Sequence, residues 1–185
     1  YTLKLYYITS LKNAKYIQNF KIFFYQIMKK NSYILEAQTF LKDNPDIKSF
    51  DIVMHDCNGI GRGKIIRRNE LIKIYKFGRQ FPLSLMGMDI TGEDVPETGL
   101  IFNQGDGDIK AWPIPSSLKP IHNSKPARGE LLMNMHDIKG NKLSTDPRNQ
   151  LEKKIGEFKK KGISFCAAFE LEFFLVSNEL DEYGK

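Results

Sequence analysis

Two glutamates, Glu170 and Glu172, stand two residues apart inside the apolar run CAAFELEFFLV, from Cys166 to Val176. Charged side chains are rarely buried without partners, so what this pair can do depends on what covers it. On a strand, residues two apart share a face. One face of this segment carries Phe165, Ala167, Phe169, Leu171, Phe173 and Leu175; the other carries Cys166, Ala168, Glu170, Glu172, Phe174 and Val176. A half-buried strand with its glutamates in solvent satisfies the alternation. The apolar residues flanking the pair on its own face point instead to a covered site. Two carboxylates under cover repel each other and stay ionised only beside a cation or several donors. Oxygen donors alone suit a hard divalent ion, Mg2+ or Mn2+, rather than zinc. Spacing leaves both alternatives open, and two carboxylates do not complete a six-coordinate shell.

Other chemistry-bearing residues lack the spacing that chemistry needs. GIGRGK (Gly59, Gly61, Gly63, Lys64) has the wrong spacing for a phosphate loop and no helix starting at Lys64, so it reads as a glycine-rich hairpin. His55, His122 and His136 show no metal-ligand spacing, and His55 and His136 fall in strand patterns as structural residues. Asp106 and Asp108 in GDGD are not continued by a calcium-loop pattern and read as a turn. Lys159, Lys160 and Lys161 complement a helix C-terminus on a solvated face. Ser144, Thr145 and Cys166 have no identifiable base, which leaves nucleophilic catalysis unsupported.

Local patterning marks the elements that must position these residues. Ser32 caps a short helix running to about Leu41, with Ile34, Ala37 and Phe40 or Leu41 on one side. Phe50–Cys57 alternates as a strand, Asn58-Gly59 signals a hairpin, and Gly63–Arg67 returns. Asn69 caps a second helix with Leu71, Ile72, Tyr75 and Phe77 as its apolar side. After Pro82, Leu83–Asp89 reads as a strand, residues 90–108 as loop, and Ile109–Ile114 and Glu130–Asp137 as further strands. Asp146 is the N-cap of a last helix, with Pro147 at its first position, Gly162 after its lysine-rich end, and Leu151, Ile155 and Phe158 as its apolar face. Ile163–Val176 comes next as a strand needing neighbours on both sides, and the polar tail offers none. The order implies an α+β domain succeeded by the start of a second, truncated unit.

Charge excludes one large function class. Net charge is +6, but six of the 28 basic residues fall in residues 1–30, before the first acid at Glu36, leaving 22 bases against 22 acids. The balanced body offers no broad footprint for nucleic acid. No stretch approaches the roughly 20 apolar residues of a membrane span. Cys57 and Cys166 fit no CxxC pattern and suit a reducing, cytoplasmic setting. Residues 1–27 contain no Gly, Pro or acid and differ in kind from the rest of the chain, so translation is expected to start at Met28, with 1–27 a non-native or disordered leader.

The helix DPRNQLEKKIGEFKKKG leading into FELEFFLV resembles the start of the catalytic domain in the glutamine synthetase family. Upstream, HDCNGIGRGK resembles that family's N-terminal β-grasp hairpin. SLMGMDITGEDVPETGL is similar to the branch related to γ-glutamylpolyamine synthetases, and PARGELLMNMHD with DPR after it completes the order. The resemblance covers about residues 33–185. It implies a β-grasp domain over 28–138 and the first helix and strand of a catalytic domain over 139–185. It further implies an ATP-dependent ligase that joins glutamate to ammonia or an amine through a γ-glutamyl phosphate, assembled as a homo-oligomer, a dodecamer in full-length form. Glu170 and Glu172 would each ligate one of two ions, Mg2+ or Mn2+, flanking the ATP phosphates. Asp89 would reach a neighbouring subunit's site and help bind and deprotonate the amine; its structural alternative is a strand-end carboxylate accepting bonds from the next turn. MDITGED departs from the FDGSS pattern of ammonia-using members, and Gly99 stands near their second aspartate. A larger amine is therefore the expected nucleophile. No ATP- or glutamate-binding residue is assigned, and the isolated chain is expected to be inactive. A non-catalytic β-grasp interaction module is the competing class, and a two-metal phosphohydrolase is disfavoured because no His/Asp cluster accompanies the pair.

Overall fold

The computed structural model describes residues 33–101, 107–176 and 179. The leader, the Ser32 cap, Asp106 and the tail after Val176 other than Glu179 lie outside them. The chain divides into two compact units, one through Leu151 and one from Glu152.

The first unit is a mixed helix-and-sheet structure. Helix α1 occupies residues 33–43. Strands β1 (Ser49–His55) and β2 (Gly61–Arg67) form the expected hairpin, antiparallel with Ser49 opposite Arg67 and His55 opposite Gly61. Helix α2 (Leu71–Phe77), β3 (Arg79–Pro82), β4 (Asp108–Pro113), the two-residue β5 (Lys119–Pro120) and β6 (Arg128–His136) come after it in chain order. The sheet runs β2-β1-β6-β4-β3, with β5 beside β6. Its one parallel pair, β1 with β6, joins the first strand to the last at the centre. The sheet is curled: Lys64 on edge strand β2 places its ammonium 5.3 Å from the ring of Phe81 on the opposite edge, β3.

Alternation explains which face is buried. On β6, Gly129, Leu131, Met133 and Met135 are buried and the residues between them are not. Phe50, Ile52 and Met54 do the same on β1. Phe50, Ile52, Leu131 and Met135 have no exposed surface, and burial of each stabilises the fold by about 1.5–3 kcal/mol. Gly129 lies opposite Phe50, and a Cβ there would come within 2.6 Å of that ring, so close strand packing requires glycine. Ala37 of α1 and Leu71, Ile74 and Tyr75 of α2 close the core from the helix side. The Arg68 guanidinium caps the C-terminal end of α1 by donating to the carbonyls of Leu41, Asn44 and Ile47. A cation there complements the helix dipole.

Four local expectations are corrected. Leu83–Gly87 is a 3-10 helix rather than a strand; in so short a run, alternation and a three-residue turn share the same apolar spacing. The second helix is entered through a 3-10 turn at Arg68–Glu70, whose Glu70 carboxylate accepts the Arg67 N–H, so Asn69 is not the cap. Ile74 rather than Phe77 completes its buried side, and Phe77 is exposed.

The fourth correction concerns the second unit. Helix α3 (Pro147–Lys160) ends before Gly162, whose φ of +74° needs no Cβ, as expected. The segment from Ile163 to Val176, expected as a strand, joins no ladder with any described residue. Strand structure exists only through a neighbour's backbone groups, and none is supplied. Its side chains are exposed, Phe169 and Phe174 each to 94%. Leu151 and Ile155 of α3 are exposed too, while Phe158 meets Phe165 edge-on at 4.7 Å.

Candidate functional site

Three turns in the first unit share one construction. In each, a glycine stands three residues after an aspartate: Asp56-Cys57-Asn58-Gly59, Asp89-Ile90-Thr91-Gly92 and Asp137-Ile138-Lys139-Gly140. The aspartate N–H donates to the carbonyl four residues on, and the glycine N–H donates back to the aspartate carbonyl. Each glycine has positive φ, +78°, +92° and +87°, a region that glycine enters without strain. One carboxylate oxygen, Oδ1, accepts the backbone N–H groups two and four residues on: Asn58 and Ile60, Thr91 and Glu93, Lys139 and Asn141.

What separates the three is Oδ2. Asp56 Oδ2 pairs with Arg62 Nε at 2.9 Å, and Asp137 Oδ2 accepts from Asn141 Nδ2 at 2.8 Å. Asp89 Oδ2 accepts no hydrogen bond among the described residues, while its Oδ1 also takes the Thr91 hydroxyl at 2.7 Å. The expectation of a structural aspartate bonded to its next turn is therefore met by one oxygen. The other accepts no bond from any described residue. The Thr91 hydroxyl, then the Glu93 amide, hold the Asp89 carboxyl below the usual carboxylate range, so it is anionic at neutral pH. Such a group attracts a cation. Asp89 stands not at a strand end but in a small loop closed by the Met88–Asp94 bridge.

The first of these turns grips the second. Arg62 spans them, its Nε on Asp56 Oδ2 and its Nη2 donating to the Asp89 carbonyl. Asn58 Nδ2 donates to the Met88 carbonyl at 3.1 Å. The Asp56 side chain is 1% exposed and that of Arg62 13%. Burial pushes the Asp56 carboxyl up, but the Arg62 bond and the Ile60 and Asn58 amides outweigh it and hold the group below its ordinary value.

Glu170 and Glu172 belong to the second unit, and both are exposed. The covered face expected for them is not formed by any described residue, because the flanking apolar side chains are themselves in the open. Among the described residues, no group of three or more His, Cys, Asp or Glu side chains could hold a metal ion. Carboxylate oxygens are the donor type that hard cations take.

Two polar residues fix the start of α3 in ways the sequence pattern does not show. Asp146 is the expected N-cap, but it is also 3% exposed and accepts the Met135 N–H at 2.7 Å through Oδ2. Asn149, equally buried, donates to the carbonyls of Met135 and Leu143 and accepts from Asn134. His136 lies in β6 as expected; burial pushes its pKa below the ordinary value, and Nδ1 has no partner among the described residues. Among the described residues no helix is long and apolar enough to cross a membrane.

No protein-family model matches the chain. It is 32% identical over 154 residues to the gamma-glutamylputrescine synthetase of Escherichia coli (strain K12), covering 83% of this chain and 32% of that protein. It is 27% identical over 151 residues to the glutamate–isopropylamine ligase of a Pseudomonas species, covering 80% and 32%. The chain thus spans about a third of the length of these curated relatives. In fold it matches the crystal structure of a glutamine synthase homologue with a TM-score of 0.55 at 18% identity, over 62% of this chain and 27% of that one. In sequence and in fold, over part of those proteins' length, the chain thus resembles the glutamine synthetase family.

Proposed function

We propose that this chain is the N-terminal part of an ATP-dependent ligase that joins the γ-carboxylate of glutamate to an amine by way of a γ-glutamyl phosphate. The observation that carries this is the 154-residue match to a gamma-glutamylputrescine synthetase. In this account residues 28–138 form a β-grasp domain, supported by a sheet whose first and last strands lie parallel at its centre. Residues 139–185 open the catalytic domain of a cytoplasmic homo-oligomer.

A carboxylate is a poor acylating agent, because the oxygen that must leave is a poor leaving group. Phosphorylation by ATP turns that oxygen into phosphate. The amine then attacks the acyl carbon, the new C–N bond forms, the C–O bond to phosphate breaks and phosphate departs. Asp89 is the residue of this chain that meets the amine. Its open Oδ2 holds the ammonium form by charge and takes one proton from it, which frees the nitrogen lone pair for attack; the second proton leaves to solvent once the C–N bond has formed, while Oδ1 keeps the carboxylate oriented. Glu170 and Glu172 are the residues that would hold Mg2+ or Mn2+: they offer oxygen donors only and make no hydrogen bond or ion pair among the described residues. A divalent ion there supplies charge neutralisation for phosphoryl transfer. The relatives named for putrescine and isopropylamine support an amine larger than ammonia as nucleophile.

The test is isotopic. With glutamate carrying 18O in its γ-carboxylate, the full-length protein is expected to release phosphate bearing one 18O per amide formed, and unlabelled phosphate would refute the acyl phosphate. Mn2+ binding to the same protein should weaken on Glu170→Ala and on Glu172→Ala; unchanged affinity in both would remove the ligand assignment.

A further inference from the structure

Arg62 touches neither carboxylate oxygen of Asp89, yet together with Asn58 it ties the Asp89 loop to the β1–β2 hairpin. Its guanidinium meets two acceptors with two different nitrogens, the buried Asp56 carboxylate and the Asp89 carbonyl. A guanidinium can bridge two acceptors at fixed angles because its donors are coplanar and rigid; an ammonium is a point charge. Asp56 is itself fixed by two backbone amides of its own turn. The Asn58 amide holds the adjoining Met88 carbonyl, and the Gly92 position lies so near Arg62 that a Cβ there would come 3.4 Å from Nη1. The loop bearing Asp89 is thus gripped at Met88 and Asp89 by a neighbouring turn of the same construction, rooted in a buried ion pair.

We infer that Arg62, anchored by Asp56 and assisted by Asn58, is a positioning residue that sets where the open oxygen of Asp89 points and thereby the capture of the amine. This rests on the assignment of Asp89 to the amine. The consequence is selective: loosening the grip should impair the amine and leave the other two substrates alone.

The experiment is steady-state kinetics of the full-length ligase with glutamate, ATP and putrescine, for Arg62→Met, Arg62→Lys, Asn58→Ala, Asp89→Asn and the Arg62→Met/Asp89→Asn pair. Losing a charge-assisted bond of this kind predicts an amine KM raised about tenfold in Arg62→Met, with the KM values for ATP and glutamate unchanged. Arg62→Lys should not restore it, since one ammonium cannot reach both acceptors. Asn58→Ala, at an exposed residue, should shift the amine KM in the same direction by less, and it carries the test should Arg62→Met fail to fold. In the Asp89→Asn background, Arg62→Met should add little, because the two act on one contact. If Asp89→Asn leaves the amine KM unchanged, the assignment of Asp89 falls. If Asp89→Asn raises it while Arg62→Met and Asn58→Ala do not, Asp89 stands and the positioning role is overturned. An equal rise in all three KM values would also overturn it, as that is what general loosening produces.

Discussion

Asp146→Ala isolates the polar contacts that hold the first turn of α3 against β6. The carboxylate accepts Met135 N–H at 2.7 Å, Arg148 N–H at 2.9 Å and Asn149 N–H at 3.3 Å. Loss of an N-cap acceptor costs about 0.5–2 kcal/mol. The Met135 amide sits on a strand residue with no exposed surface, and stranding such a donor adds about 1–3 kcal/mol. The two effects together come to about 1.5–5 kcal/mol. Urea unfolding monitored through Trp112, the single tryptophan, which lies on β4 opposite Asn134, reads the loss. At a slope of about 2 kcal/mol per molar urea, the midpoint should fall by about 0.8–2.5 M. Asp146→Asn keeps one oxygen for the helix amides and should fall between wild type and Asp146→Ala. A midpoint shift under about 0.3 M for Asp146→Ala would refute the assignment of these bonds as an anchor.

Three further outcomes are expected from named contacts. Gly129→Ala places a methyl against the fully buried Phe50 ring, and overpacking of this kind should cost about 1–3 kcal/mol in the same urea assay; no change would mean that β1 and β6 are not packed as described. The Asp56 carboxyl has a folded pKa below its unfolded value, so the unfolded chain binds more protons, and the stabilisation is present above about pH 4 and lost as pH falls through the folded value. The gap between wild type and Asp56→Asn in stability should therefore close on acidification, and a gap independent of pH would contradict the pairing with Arg62. For His136, burial favours the neutral ring, so its imidazole NMR titration should fall below the ordinary value of about 6.5, and stability should decline as pH drops below that value. A midpoint at or above it would show the ring to be solvated.

Sequence pattern reaches the elements whose apolar period is long enough to be unambiguous. β1, β6 and α3 stand within a residue or two of their expected bounds, and the Asn58-Gly59 hairpin and Asp146-Pro147 helix start arise from local backbone chemistry alone. Leu83–Asp89 departs from its expected strand because seven residues cannot distinguish two periods. The strand through FELEFFLV depends on partners, and periodicity records a demand for burial without showing what meets it. At the site, the Asp56–Arg62 pair is hidden from sequence pattern because its members come together only through the hairpin register. A signal is nonetheless present: Asp-x-x-Gly occurs at Asp56, Asp89 and Asp137, and again at Asp181 outside the described residues, and the repetition marks Asp89 as tied into a turn. No pattern in the sequence distinguishes the oxygen that is left open, since that depends on which side chains the fold carries to each turn.

The most direct measurement of the central claim is ADP release by the full-length protein with ATP, Mg2+ and glutamate, comparing putrescine, isopropylamine and ammonia as third substrate. Release should require glutamate, be stimulated more by an alkylamine than by ammonia, and be accompanied by the matching γ-glutamyl amide in the product mass spectrum. ATP turnover indifferent to glutamate, or no amide with any of the three nitrogen donors, would contradict it.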